Sequence, residues 1–130
     1  MDSEPLKPVV PLLDRLILAL EGYGYRFASE LQLHSGIAQA LTLEGFAFEQ
    51  ERRPSPACRY DFYLPEGSIV IEVKVHGSYA AALRQVERYL QLPDCHGAII
   101  ASTKAWASTA TPQVLHGKPV CLARLRAKVF

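Results

Sequence analysis

The stretch from Arg59 to Tyr89, RYDFYLPEGSIVIEVKVHGSYAAALRQVERY, constrains the fold of this chain more than any other part of it. Tyr60 to Leu64 alternates well enough to be a strand, and Pro65-Glu66-Gly67 is a turn signal. Ser68 to Val75 is rich in β-branched residues and predicts a second strand, with Ile69, Ile71, Val73 and Val75 on one face. Strand side chains alternate, so Val70, Glu72, Lys74 and His76 share the other face. A hairpin between the two strands brings Asp61 toward Glu72 and Lys74. Two carboxylates that converge repel one another and resist ionisation unless a cation lies between them. A hard divalent metal, which accepts oxygen ligands, suits such a place.

Gly77-Ser78 ends the second strand and caps a helix whose apolar stripe is Tyr79, Ala82, Leu83, Val86, Tyr89 and Leu90. Gln85 and Tyr89 stack on one side of it, and Arg84 and Arg88 form another pair four apart. Asp61, then Glu72-Val73-Lys74, then Gln85 and Tyr89 on the next helix resembles the PD-(D/E)XK nuclease superfamily. The last pair resembles the QxxxY element of its RecB, lambda-exonuclease and CRISPR-adaptation groups. Tyr60 stands where Pro precedes Asp in the name-giving motif, a position that varies within the superfamily.

The resemblance implies a mixed α/β fold: a restriction-endonuclease-like αβββαβ core, over roughly residues 29 to 102, with a mixed central sheet flanked by helices. It implies a deoxyribonuclease dependent on Mg²⁺ or Mn²⁺, with DNA as its partner. Asp61, Glu72, the carbonyl of Val73 and Glu30 hold the metal in this reading. Lys74 assists the attacking water or neutralises charge on phosphorus, and Gln85 positions water or phosphate. Superfamily members supply an acid, or in some RecB-type enzymes a His, from a helix before the hairpin. Glu30 matches the first form and His34, four residues on, the second. The plain alternative makes Glu30 a first-turn acid and His34 a surface side chain. Arg84, Arg88, Tyr89, Arg52 and Arg53 are the candidate nucleic-acid contacts. Against that, Tyr89 also reads as core, where losing its hydroxyl matters little, and the arginines read as solvated. A junction resolvase, a catalytically inactive nucleic-acid-binding protein of the same fold, and an interaction module with an accidental Glu-x-Lys pair are the competing functions. One such site cuts one strand, so duplex cleavage calls for a homodimer or two encounters.

The rest of the chain fits around this unit. Its 130 residues suit one domain, and 49% hydrophobic against 21% charged is ordinary for a globular protein. Residues 1 to 8 read as a loose arm. Leu12, Leu13, Leu16, Ile17 and Leu20 predict a helix with Pro11 in its first turn, ended by Gly22 and Gly24. Ser29-Glu30-Leu31-Gln32 has the form of a capping box opening a second helix to about Glu44, through Leu31, Ile37, Ala38 and Leu41, with Gly36 a weak point. Phe46, Phe48 and Gln50 begin a strand, and Arg52 to Pro56 reads as a basic turn, giving a three-stranded meander from Gly45 to Val75. Ala98 to Ala101 predicts a covered central strand and Pro119 to Leu125 a last one. Between them Ser102 to Pro112 is small and polar, with Trp106 either a stacking residue or a packing anchor.

Net charge is only +1, but no acid follows Asp94, which leaves Lys104, Lys118, Arg124, Arg126 and Lys128 as a basic C-terminal part. Cys58, Cys95 and Cys121 are odd in number and lack CxxC spacing, so free thiols in a reducing compartment are expected. With no signal-like N-terminus and no apolar run of membrane-spanning length, the expected location is the cytoplasm, away from membranes.

Overall fold

A computed structural model of the protein describes residues 6–129. Its elements run α1 (Leu6–Glu21), β1 (Gly24–Tyr25), α2 (Glu30–Leu43), β2 (Glu49–Ser55), β3 (Cys58–Leu64) and β4 (Ile69–Lys74). There follow α3 (Tyr79–Leu90), β5 (Gly97–Ser102), α4 (Trp106–Thr109), β6 (Gln113–Leu115), β7 (Lys118–Arg124) and β8 (Arg126–Ala127). Six strands form one mixed sheet in the order β2-β3-β4-β5-β7-β6, and β1 pairs with β8 apart from it. The β2-β3-β4 meander is antiparallel, whereas β4, β5 and β7 are parallel. A parallel step needs a crossover, and α3 supplies it between β4 and β5. No helix among the described residues is long and apolar enough to cross a membrane.

The strand alternation expected for β4 holds, and it divides the interior in two. Ile69, Ile71 and Val73 join Leu13, Leu16, Leu33 and Ile37 beneath α1 and α2. Val70 faces the other way and joins Ala82, Val86, Tyr89 and Leu90 of α3. Burying an aliphatic side chain such as Val86 or Leu90 contributes roughly 1.5–3 kcal/mol, so α3 is firmly seated on the sheet. Its N-terminus is fixed too: Ser78 Oγ accepts from the N–H of Ala81 at 3.1 Å. Gly77, just before it, has φ +89°, where a side chain would be strained.

Several expectations need correction. Residues 1–5 lie outside the described residues, but 6–8 belong to α1 rather than to a loose arm. Pro11 is inside that helix, not in its first turn, and is tolerated on the exposed side. Arg52 to Ser55 are strand, because β2 continues past a register shift instead of turning at Arg52. Ser29 caps α2 through the N–H of Gln32, but the Gln32 side chain reaches back to the N–H of Ala28, one residue before the usual box. Leu31 is exposed, and Leu33 takes the core position. Gly36 is a fitted contact rather than a weakness: a Cβ there would stand 3.1 Å from the Tyr25 ring. The segment read as small and polar contains α4, where Trp106 packs 5.5 Å from Tyr79 and donates to the Gly77 carbonyl.

Candidate active site

β3 and β4 part company where the site begins. Their ladder runs Leu64↔Ile69, Tyr63↔Val70 and Phe62↔Ile71, and one further step would set Asp61 opposite Glu72. Instead the Oδ2 of Asp61 accepts the N–H of Val73 at 2.8 Å, a donor that a continued ladder would give to main chain. The alternation of β3 breaks at the same point, since Tyr60 and Tyr63 both pack beneath α3. The side chain of Asp61 thus stitches the opening strands and stays beside Glu72.

Asp61 is 5% exposed and Glu72 3%. Burial pushes the Glu72 carboxyl up to about 7, the neighbouring Asp61 charge adds to the rise, and Lys74 and Tyr89 oppose it. Asp61 is also raised by burial and by Glu30, against the pull of the Val73 N–H, His34 and Arg59. The compensating contacts are long: Lys74 Nζ lies 3.5 Å from Glu72 Oε2, and Arg59 Nη2 3.5 Å from Asp61 Oδ1.

α3 completes the site through a connected chain of hydrogen bonds. Lys74 Nζ donates to Gln85 Oε1 at 2.6 Å, and Gln85 Nε2 donates to the Tyr89 hydroxyl at 2.8 Å. That hydroxyl lies 2.9 Å from the Arg59 carbonyl and 3.1 Å from Glu72 Oε1. The four-residue spacing of Gln85 and Tyr89 therefore lets one helix face hold both Lys74 and Glu72. Glu30, Arg59, Asp61, Glu72, Val73, Lys74, Val75, His76 and Gln85 line a cavity of about 210 Å³.

Glu30 stands exposed at this cavity, four residues before His34 on α2. His34 is no surface residue: it is buried with its ring 5.6 Å from Phe62, and its Nε2 has no hydrogen-bond partner. Among the described residues no group of three or more His, Cys, Asp or Glu side chains is gathered to hold a metal ion. The donors nonetheless suit a hard cation. The two buried carboxylates meet their cations only at 3.5 Å, and the cavity around them is polar. A cation here would rest on Asp61 and Glu72, with Val73 and Glu30 at hand and water filling the remaining positions.

The candidate nucleic-acid contacts separate. Arg84 and Arg88 are exposed on α3, and Arg53 is exposed on β2. Arg52 is committed elsewhere, bound to Glu49 at 3.1 Å and Asp94 at 3.2 Å, and stacked 4.5 Å over the Tyr63 ring. Tyr89, 1% exposed, offers no surface to a nucleic acid, which corrects its place among those contacts. Arg59 was missed as a site residue. Its signal was its position two residues before Asp61 on one strand, which tends to put both on the same side. Comparisons of the chain with protein-family models, curated proteins and solved structures find no match.

Proposed function

We propose that this protein is a metal-dependent nuclease that hydrolyses phosphodiester bonds in DNA, with the cavity between β3, β4 and α3 as its active site. The observation that carries this reading is the burial of Asp61 and Glu72 at one cavity, with Lys74 held there by Gln85. A fold gains little from burying two carboxylates against each other, so the arrangement makes sense as a cation site. A restriction-endonuclease-like αβββαβ core is supported by the succession α2, β2, β3, β4, α3, β5 and by the switch from antiparallel to parallel pairing at β4.

Bound Mg²⁺ or Mn²⁺ would acidify the attacking water and polarise the phosphoryl oxygens. Asp61 and Glu72 would hold it, with the Val73 carbonyl and Glu30 as further donors. Lys74 has three N–H donors, of which Gln85 and Glu72 account for two. The third is free to meet a phosphoryl oxygen and to stabilise charge developing there. Gln85 is the positioning residue in this scheme, because it fixes the ammonium and is itself fixed by Tyr89.

The test is hydrolysis of linear, circular, single-stranded and branched DNA with EDTA, Mg²⁺, Mn²⁺ or Ca²⁺. EDTA should abolish cutting, and Mg²⁺ or Mn²⁺ should restore it. Ca²⁺ should support binding with little cleavage, since its looser coordination positions water less strictly. Full activity in metal-free buffer ends the proposal.

A further inference from the structure

The parallel strands β4, β5 and β7 end side by side, and their registers align Lys74 with Ser102 and Ser102 with Arg124. Val70, Ile100 and Val120 lie in the core beneath α3. Lys74, Ser102 and Arg124 follow them by even numbers of residues, so they rise on the same face. Ser102 is fully buried, and its Oγ is taken by the N–H of Lys104. The row therefore presents one cation at each end, about 10 Å apart across two strand spacings. The carboxyl ends of parallel strands are also where open α/β sheets bind ligands.

Arg124 does not stand alone. Its Nη1 donates to Ser108 Oγ at 3.1 Å, and Arg126 Nη2 reaches the same oxygen at 3.5 Å. Two guanidinium groups thus converge on a single neutral acceptor. Neither forms an ion pair with a described acid. Glu21 comes near, but its Oε2 accepts the main-chain N–H of Arg124. The Nε of Arg124 is buried with no partner. Like charges drawn together, with donors to spare, match the oxygens of a phosphate.

We propose that Arg124 and Arg126, braced by Ser108, form a phosphate subsite for the nucleic-acid strand that leads into the Asp61–Lys74 cavity. The inference rests on the nuclease reading for its ligand. It goes beyond that reading in assigning the strand a path across the ends of β4, β5 and β7.

Two measurements test it together. Affinity for a labelled single-stranded oligonucleotide and for its duplex is read in EDTA at several salt concentrations. Hydrolysis is then read with Mn²⁺ on an oligonucleotide and on bis(p-nitrophenyl) phosphate, which is too small to span both places. Arg124→Ala and Arg126→Ala should each make the log–log salt slope shallower by about 0.7 on single strands and 0.9 on duplex. Each should raise the oligonucleotide KM roughly tenfold, with hydrolysis of the small diester unchanged. If Arg124→Ala does not fold, the exposed Arg126 carries the test alone through Arg126→Ala. An unchanged slope overturns the subsite, as does a parallel loss on the small diester or a parent that binds no oligonucleotide. A parent that cuts neither substrate while the slopes still shift ends the nuclease reading and upholds the subsite.

Discussion

Two polar clusters lie on the tyrosine-rich β3, and they are built on opposite principles. At one, Asp94 is fully matched. Its Oδ1 accepts from the Tyr60 hydroxyl at 2.7 Å, its Oδ2 from Arg52 at 3.2 Å, and its carbonyl from the Tyr63 hydroxyl at 2.8 Å. At the other, Asp61 and Glu72 are buried more deeply, their side chains 7% and 4% exposed against 27% for Asp94. There each carboxylate has one cation, Arg59 for Asp61 and Lys74 for Glu72, and neither stands closer than 3.5 Å. A tightly paired cluster ties strands and loops together, whereas a loosely paired, buried one leaves charge that a bound cation would offset. Burial alone does not separate the two clusters; the length of the ion pairs does.

The largest effect should come from Lys74. Lys74→Ala is expected to lower turnover by about 10²- to 10⁴-fold while the unfolding transition barely moves. Asp94→Ala should do the reverse. It strips partners from Arg52 and from the fully buried Tyr60, and should cost about 2–3 kcal/mol of stability in a denaturant titration. The activity of the remaining folded protein should stay near that of the parent. If Asp94→Ala lost activity without losing stability, the contrast between the clusters would be wrong.

Much of the Asp61–Glu72 cluster was legible in the sequence, because its parts lie within thirty residues and obey local periods. Two-residue alternation placed Glu72 and Lys74 together, and helical spacing joined Gln85 to Tyr89. The Asp94 cluster was not legible. It joins Arg52, Tyr60 and Tyr63 to a loop 31 to 42 residues away, and no local pattern marks such a meeting. The same limit explains the basic C-terminal part, which composition treated as one patch. Lys118 instead donates to the carbonyls of Leu90 and Leu92 at the end of α3, while Arg124 and Arg126 meet at the other end of β7. The sequence of β2 looks as if the strand ends at Arg52, because Arg52, Arg53 and Pro54 resemble a turn. Pairing with β3 overrides that local preference.

In the metal-free protein, the buried Glu72 should make stability depend on pH. Glu72 has an ordinary pKa near 4.5 when unfolded and about 7 when folded. Between those values the folded state binds more protons than the unfolded state, so stability must fall as pH rises through this window. The contribution is fully present below the lower value and lost above the upper one. Its size should be on the order of 3 kcal/mol, read as a declining Tm from about pH 5 to 8 in EDTA. Glu72→Gln should flatten that decline. Mg²⁺ or Mn²⁺ should raise Tm more at pH 8 than at pH 6, because deprotonated carboxylates would be the ligands. A decline that persists in Glu72→Gln would place the titration elsewhere.

The smallest effect compares two tyrosine hydroxyls, one from each cluster. Tyr60 gives its proton to Asp94 alone, whereas the Tyr89 hydroxyl touches Gln85, Glu72 and the Arg59 carbonyl. A phenol has one proton, so Tyr89 donates to Glu72 or to Arg59 at any moment and accepts from Gln85 throughout. The expectation that its loss matters little is thereby revised. Tyr89→Phe and Tyr60→Phe should each cost about 1 kcal/mol, but only the first should disturb the site. The bond to Tyr89 helps keep Glu72 ionised, so Tyr89→Phe should raise Glu72 further and move the stability decline to higher pH. It also frees the Gln85 amide, which loosens Lys74 and should lower turnover several-fold at fixed metal. Tyr60→Phe should leave both the pH window and turnover in place. Equal shifts in the two variants would mean that the hydroxyls serve the fold alike and that Tyr89 has no part in positioning Lys74.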